Sequence, residues 1–164
     1  MRQHFGASAD ADSVHWTVWT CVQLPDGVDD WTKLVEWAEK ALAADPDNKT
    51  RLTTLGAVLY RAGRFDEAVR RLTEAEAAFK KANAPTSTIA YTWLFLAMAE
   101  ERRGHTEQAR QWLARAVREI EQPPVERAND PGVDTWNRRL APRLLRSEAE
   151  KLLKFDPQQG KKKP

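Results

Sequence analysis

Apolar residues recur along nearly the whole chain at spacings of three and four, the period of an α-helix, and β-branched clusters are few. Seven helices are predicted. The first starts near Asp12 and ends at "QLPDG" (23–27). Asp30 can cap a second, which runs to about Ala44 and stops at "DPDN" (45–48). Asn48 can cap a third, ending at Gly63, because glycine readily takes the left-handed conformation that follows a helix. A fourth spans Phe65 to Lys81 and is broken by "NAPTS" (83–87), where Thr86 or Ser87 can cap a fifth. Gly104 ends the fifth, and Thr106 opens a sixth that reaches about Glu121. After the long loop "QPPVERANDPGV" a last helix lies within Trp136 to Phe155, starting or kinking at Pro142. The expected fold class is all-α, with the first six helices paired as helix, short turn, helix.

The pairs repeat. "LYRAGRFDEAVRRL" (59–72) returns in looser form as "AEERRGHTEQARQWL" (99–113). Gly63 and Gly104 are 41 residues apart, as are Ala68 and Ala109, and a period in this range marks a helical solenoid. Packed helices lie about 8–10 Å apart, so small residues are needed where they approach. Gly56, Ala68, Ala97 and Ala109 supply them, with Leu55, Leu59, Leu72, Trp93, Leu96 and Leu113 filling the space beside them.

The middle unit reads Leu52-x2-Leu55-Gly56-x2-Leu59 and then Ala68-x3-Leu72. It resembles the tetratricopeptide repeat, whose pattern is W-x2-L-G-x2-Y followed by A-x3-F. The third unit has Trp93, Leu96, Ala97, Glu100, Ala109 and Leu113 at the same places, and a degenerate first unit has Val18, Cys21, Val22, Pro25, Leu34 and Ala38, ending at Pro46. Pro25 and Glu100 stand where the family has an aromatic residue. The third unit also starts seven residues later than the family period of about 34 residues allows. The fourth helix is therefore expected to project beyond its neighbours. The resemblance implies a superhelix of three hairpins, repeats at about 12–46, 49–82 and 87–122, closed by a capping helix at about 138–155. That last helix carries Leu140, Leu144, Leu145, Ala149, Leu152 and Leu153 on one face and Arg143, Arg146, Glu150, Lys151 and Lys154 on the other. The expected organisation is a flexible N-terminus (1–10), a repeat domain (11–155) and a flexible basic tail (156–164). The repeat segments also look like modules at the ends of large bacterial signalling proteins, including Ser/Thr kinases.

Composition adds bounds. With 41% hydrophobic and 30% charged residues, the 164-residue chain has the profile of a soluble helical domain. The net charge of +2 hides an asymmetry: residues 138–164 hold nine Lys/Arg against three Asp/Glu. A nucleic-acid or acidic partner on this basic end is the alternative functional reading, but no aromatic residue interleaves with Lys161, Lys162 and Lys163 to stack bases. Cys21 is the only cysteine, and no apolar run suits a signal peptide or a membrane helix, so a cytoplasmic location without membrane association is expected.

No P-loop, G-x-S-x-G, H-E-x-x-H or dinucleotide fingerprint occurs, and His4, His15 and His105 are not spaced as metal ligands. No catalysis, cofactor or metal is expected. Glu100 and Glu101 point about 100° apart on a helix and read as solvated surface. Cys21 reads as a buried, inert thiol. Trp31, Trp37, Trp93, Trp112 and Trp136 fall at or near packing positions, whereas Trp16 and Trp19, spaced i, i+3, share a different face of the first helix. In the family the first helix of each pair lines a concave groove. By position the resemblance assigns to it Trp16, Trp19 and Gln23; Thr50, Thr53, Ala57 and Tyr60; and Tyr91, Leu94, Met98 and Glu101. Relatives that clamp acidic chaperone tails use Lys, Asn, Asn, Lys and Arg where this chain has Trp19, Gln23, Thr54, Tyr91 and Phe95, so that ligand is not implied. The expected role is a protein–protein interaction module taking an apolar or aromatic segment of a partner.

Overall fold

The computed structural model describes residues 11–25, 27–82, 89–121 and 141–154. Among them are seven α-helices and no strand: α1 (Ala11–Val22), α2 (Thr32–Ala43), α3 (Lys49–Arg61), α4 (Phe65–Lys81), α5 (Ile89–Arg102), α6 (Thr106–Glu121) and α7 (Ala141–Leu152). The expectations placed on residues 1–10, on Thr86 and Ser87, on Trp136 and Leu140, and on the tail 156–164 lie outside the described residues. The chain divides into two compact units, Met1–Ala84 and Pro85–Pro164.

In the first unit α2 has Trp31 at its N-cap, with no side-chain cap; Asp30, one residue earlier, accepts the N–H of Thr32 on Oδ1 at 2.9 Å. Asn48 Oδ1 accepts the N–H groups of Thr50 (3.1 Å) and Arg51 (3.2 Å) and opens α3, satisfying two donors that the helix leaves unpaired. α3 is central, packing on α1, α2 and α4. Every residue from Leu52 to Tyr60 is consequently buried. α4, at 17 residues against 13 for α3, is the longest helix described, and it turns Ala68, Leu72, Ala75 and Phe79 into the core.

In the second unit α5 and α6 form a hairpin through Leu96, Ala97, Ala109, Leu113 and Ala116, all fully buried. α7 lies against both helices. It inserts Ala141, Leu145, Ala149 and Leu153, while Leu144, grouped with the apolar face by the sequence reading, is half exposed. A helix resting on two others buries a stripe about a third of its circumference wide, and Leu144 falls just outside it. Pro142 occupies the first described turn of α7.

Candidate functional site

The outer face of α1 is the most distinctive exposed surface of the first unit. From Ser13 to Pro25 the chain carries no Asp, Glu, Lys or Arg, in a protein where 30% of residues are charged. The polar side chains of this face are turned back onto the helix itself. Thr17 Oγ1 donates to the Ser13 carbonyl (2.8 Å), Thr20 Oγ1 to the Trp16 carbonyl (2.9 Å) and Gln23 Nε2 to the Trp19 carbonyl (3.2 Å). Threonines bonded in this way point a methyl group outward. The face then consists of the Trp16 indole, 55% exposed, threonine methyls, part of Trp19, and Leu24, 58% exposed. Trp16 and Thr20 follow one another at i and i+4 on α1, and the exposed Leu24 lies just past the end of the helix. The His15 ring, 5.1 Å from Trp16 and edge-on to it, supports the indole from the core side.

The two well-matched hairpins turn in the same manner. Gly63 has φ +76°, the Arg64 N–H reaches the Leu59 carbonyl (2.9 Å) and the Gly63 N–H reaches that of Tyr60 (3.0 Å). Gly104 has φ +82°, the His105 N–H reaches the Glu100 carbonyl (2.9 Å) and the Gly104 N–H reaches that of Glu101 (3.0 Å). Both are Schellman turns, which leave the chain free to start a second, antiparallel helix at once. Residues 48–118, from the cap of α3 to near the end of α6, match the tetratricopeptide repeat family. This matched segment is similar to tetratricopeptide repeats. No curated protein matches it. Tetratricopeptide repeats generally act as non-catalytic modules that bind other proteins. α1, α2 and α7 lie outside the matched residues.

The groove positions carried over from the tetratricopeptide pattern fare unequally. On α1, Trp16 is exposed and Trp19 and Gln23 are half-buried. On α3, Thr50 is half-buried and its hydroxyl donates to the Asn48 cap at 2.7 Å. Thr53 is buried with its hydroxyl on the Lys49 carbonyl (3.0 Å), and Ala57 is fully buried. Tyr60 is buried, with its ring 5.8 Å from Phe65 and the Arg61 guanidinium over it at 5.5 Å. On α5, Tyr91, Leu94 and Met98 are buried, and Glu101 is half-buried. Burial pushes the Tyr91 hydroxyl far above the usual phenol range. The expectation that Thr53, Tyr60, Tyr91, Leu94 and Met98 line an open surface is thus corrected. α3 has three helices around it, and all but three residues of α5 are buried, so positions that would face a groove are core. Sequence reasoning found Trp16 and Trp19 but missed Thr17, Thr20 and Leu24. The signal was present: a charge-free run in which Thr17 and Thr20 each stand four residues after the carbonyl that a helical hydroxyl reaches.

Glu100 also differs from its solvated reading. It is 2% exposed and its carboxylate accepts from Arg103 Nη1 at 2.9 Å and meets His105 Nδ1 at 2.8 Å. Arg103 directly follows α5 and His105 stands just past Gly104, and together they let a carboxylate occupy the place of the family's aromatic residue. Cys21 is half-buried rather than fully so. Trp31, Trp37, Trp93 and Trp112 are half-buried as well, with Arg115 stacked over Trp112 at 4.7 Å. Among the described residues no group of three His, Cys, Asp or Glu could hold a metal ion, and no helix is long and apolar enough to cross a membrane.

Proposed function

We propose that this protein is an adaptor whose α1 face captures an uncharged, apolar segment of a partner protein, with Trp16 as the anchor and Trp19, Thr20 and Leu24 around it. The carrying observation is the charge-free face of α1, whose Thr17 and Thr20 hydroxyls and Gln23 amide N–H donate to its own backbone. Such a face loses little hydration when covered, so burying the indole is nearly all gain. Exposed tryptophan is also the residue type most often found as an interface anchor. The resemblance of the repeats to terminal modules of bacterial signalling proteins makes a larger signalling protein, in the cytoplasm, the first partner to test. The basic C-terminal end is a weaker candidate for nucleic acid, since Arg146 is engaged by Glu150 (2.7 Å) and Glu121 (3.1 Å).

The test is a photocrosslinking capture with a reactive side chain at Thr17, wild type against Trp16→Ala. Loss of an anchor of this kind weakens binding by about tenfold or more. The expected result is a crosslinked protein that disappears with Trp16→Ala and persists when Lys161, Lys162 and Lys163 are neutralised. Binding that survives Trp16→Ala and fails without the lysines overturns the reading in favour of an acidic or nucleic-acid partner.

A further inference from the structure

α1 is lightly anchored: only His15, Val18 and Val22 are buried. Two arginines of α3, ten residues apart, hold its two ends. Arg51 Nη2 donates to Asp12 Oδ1 at 2.7 Å, and Arg61 Nε donates to the Val22 carbonyl at 3.0 Å. Arg51 also reaches α2, donating from Nη1 to the Ala41 carbonyl (3.1 Å), so one guanidinium ties three helices together. One turn after Asp12, His15 enters the core at 8% exposure, and its Nδ1 has no hydrogen-bond partner. The charges that bear on it are Arg51 from α3 and Asp12 from its own helix. Of the remaining charged groups on the elements packed around it, Lys33, Glu36, Glu39 and Lys40 of α2 are exposed and Lys49 of α3 sits over the Phe79 ring.

A neutral imidazole suits this place and an imidazolium does not. Protonation would place a second cation near Arg51, on a ring whose Nδ1 has no hydrogen-bond partner, while Asp12 is already engaged. We propose that Asp12, His15 and Arg51 form a pH-sensitive latch, in which proton uptake by His15 loosens α1 from α2 and α3. Burial first, and Arg51 second, hold the imidazole below its ordinary value of 6.5, against the opposing pull of Asp12. The released helix therefore binds more protons than the docked one. The contribution of the neutral imidazole to docking is fully present above pH 6.5 and is lost as the pH falls below it, by up to about tenfold in the opening equilibrium per pH unit. The consequence for partner binding rests on the function proposed above, since Trp16 leans on His15 and its face moves with α1.

Hydrogen exchange of the full chain, read by mass spectrometry and corrected for the intrinsic pH dependence of exchange, tests the latch without any partner. Protection of residues 11–22 is expected to fall between pH 7.5 and 5.5 in wild type, while α5 and α6 keep theirs. His15→Gln is expected to abolish the change and His105→Gln to leave it. Protection of α1 that is independent of pH, or that changes equally in His15→Gln, overturns the proposal. Should His15→Gln fail to fold, an NMR titration of wild type decides. His15 titrating below 6.5 together with the α1 amides supports the latch, and titration at the free value without them overturns it. A pH-independent α1 leaves the Trp16 adaptor reading intact, and retained binding in Trp16→Ala leaves the latch intact.

Discussion

Gly56 and Leu72 leave no room for a methyl group between α3 and α4. A Cβ on Gly56 would lie 2.4 Å from Leu72 Cγ, 2.7 Å from its Cδ2 and 3.3 Å from its backbone nitrogen. Leu72 is fully buried and has nowhere to turn. Alanine in a helix is intrinsically better than glycine by roughly 1 kcal/mol, but overpacking costs about 1–3 kcal/mol. Gly56→Ala is therefore expected to destabilise the protein on balance. In a Leu72→Ala background the penalty should vanish, and a double-mutant cycle on urea midpoints measures that coupling.

The alanines at the hairpin contacts make the same demand. Ala68 and Ala109 are fully buried. Ala68→Leu and Ala109→Leu should each lose about 1–3 kcal/mol, whereas Arg70→Ala, at an exposed site, should stay within about ±0.5 kcal/mol. Equal midpoints for the three variants would mean that these helices do not meet at their alanines.

Tyr91 and Trp16 separate core from surface. Tyr91→Ala opens a cavity in a buried position and should cost about 3–5 kcal/mol, as large aromatic truncations do. Trp16→Ala should leave the urea midpoint within about 0.5 kcal/mol of wild type because its indole is largely in water. A destabilised Trp16→Ala would show that its contact with His15 matters more than its exposed face.

Glu100 occupies the position that Leu59 holds in the preceding repeat. Arg103 and His105 are exposed enough to rehydrate if the carboxylate is removed. Glu100→Leu is expected to be neutral or slightly stabilising, within about 1 kcal/mol, since apolar packing often replaces a buried ion pair without loss. Glu100→Ala leaves a void instead and should cost about 2 kcal/mol or more. A scanning-calorimetry comparison of the two distinguishes packing from charge.

Acid should loosen α1 first and weaken the surface contacts of Asp30 and Glu67 only at lower pH. The Thr32 N–H and hydroxyl hold the Asp30 carboxyl below its ordinary 3.8, and the Arg64 side chain holds that of Glu67 below 4.5. Both are depressed in the fold, so their contributions are present above pH 4.5 and are lost as the pH falls through the folded-state values. His15 acts earlier, from pH 6.5 downward. Stability against pH should therefore decline first in a segment removed by His15→Gln and then in one softened by Asp30→Asn or Glu67→Gln. A single phase would deny His15 its separate role.

Local chemistry was legible in the sequence because it is decided by residues close in the chain. The span of α4 from Phe65 to Lys81, the Asn48 cap of α3 and the left-handed turns at Gly63 and Gly104 follow from side chains within a few positions. The need for small residues at Gly56, Ala68, Ala97 and Ala109 was legible too, because a 41-residue recurrence shows where helices must meet. What a helix face looks out on is another matter. Tyr60, Tyr91, Leu94 and Met98 have the spacing of a groove lining, yet burial depends on how many helices surround α3 and α5, and spacing within one helix carries no record of its neighbours. Glu100 likewise reads as surface by its charge, and only Arg103 at the end of α5 and His105 past the turn make its burial tolerable. Trp16 and Trp19 stood one turn apart with identical residue chemistry; the packing of α1 on α2 and α3 left the first exposed and half covered the second.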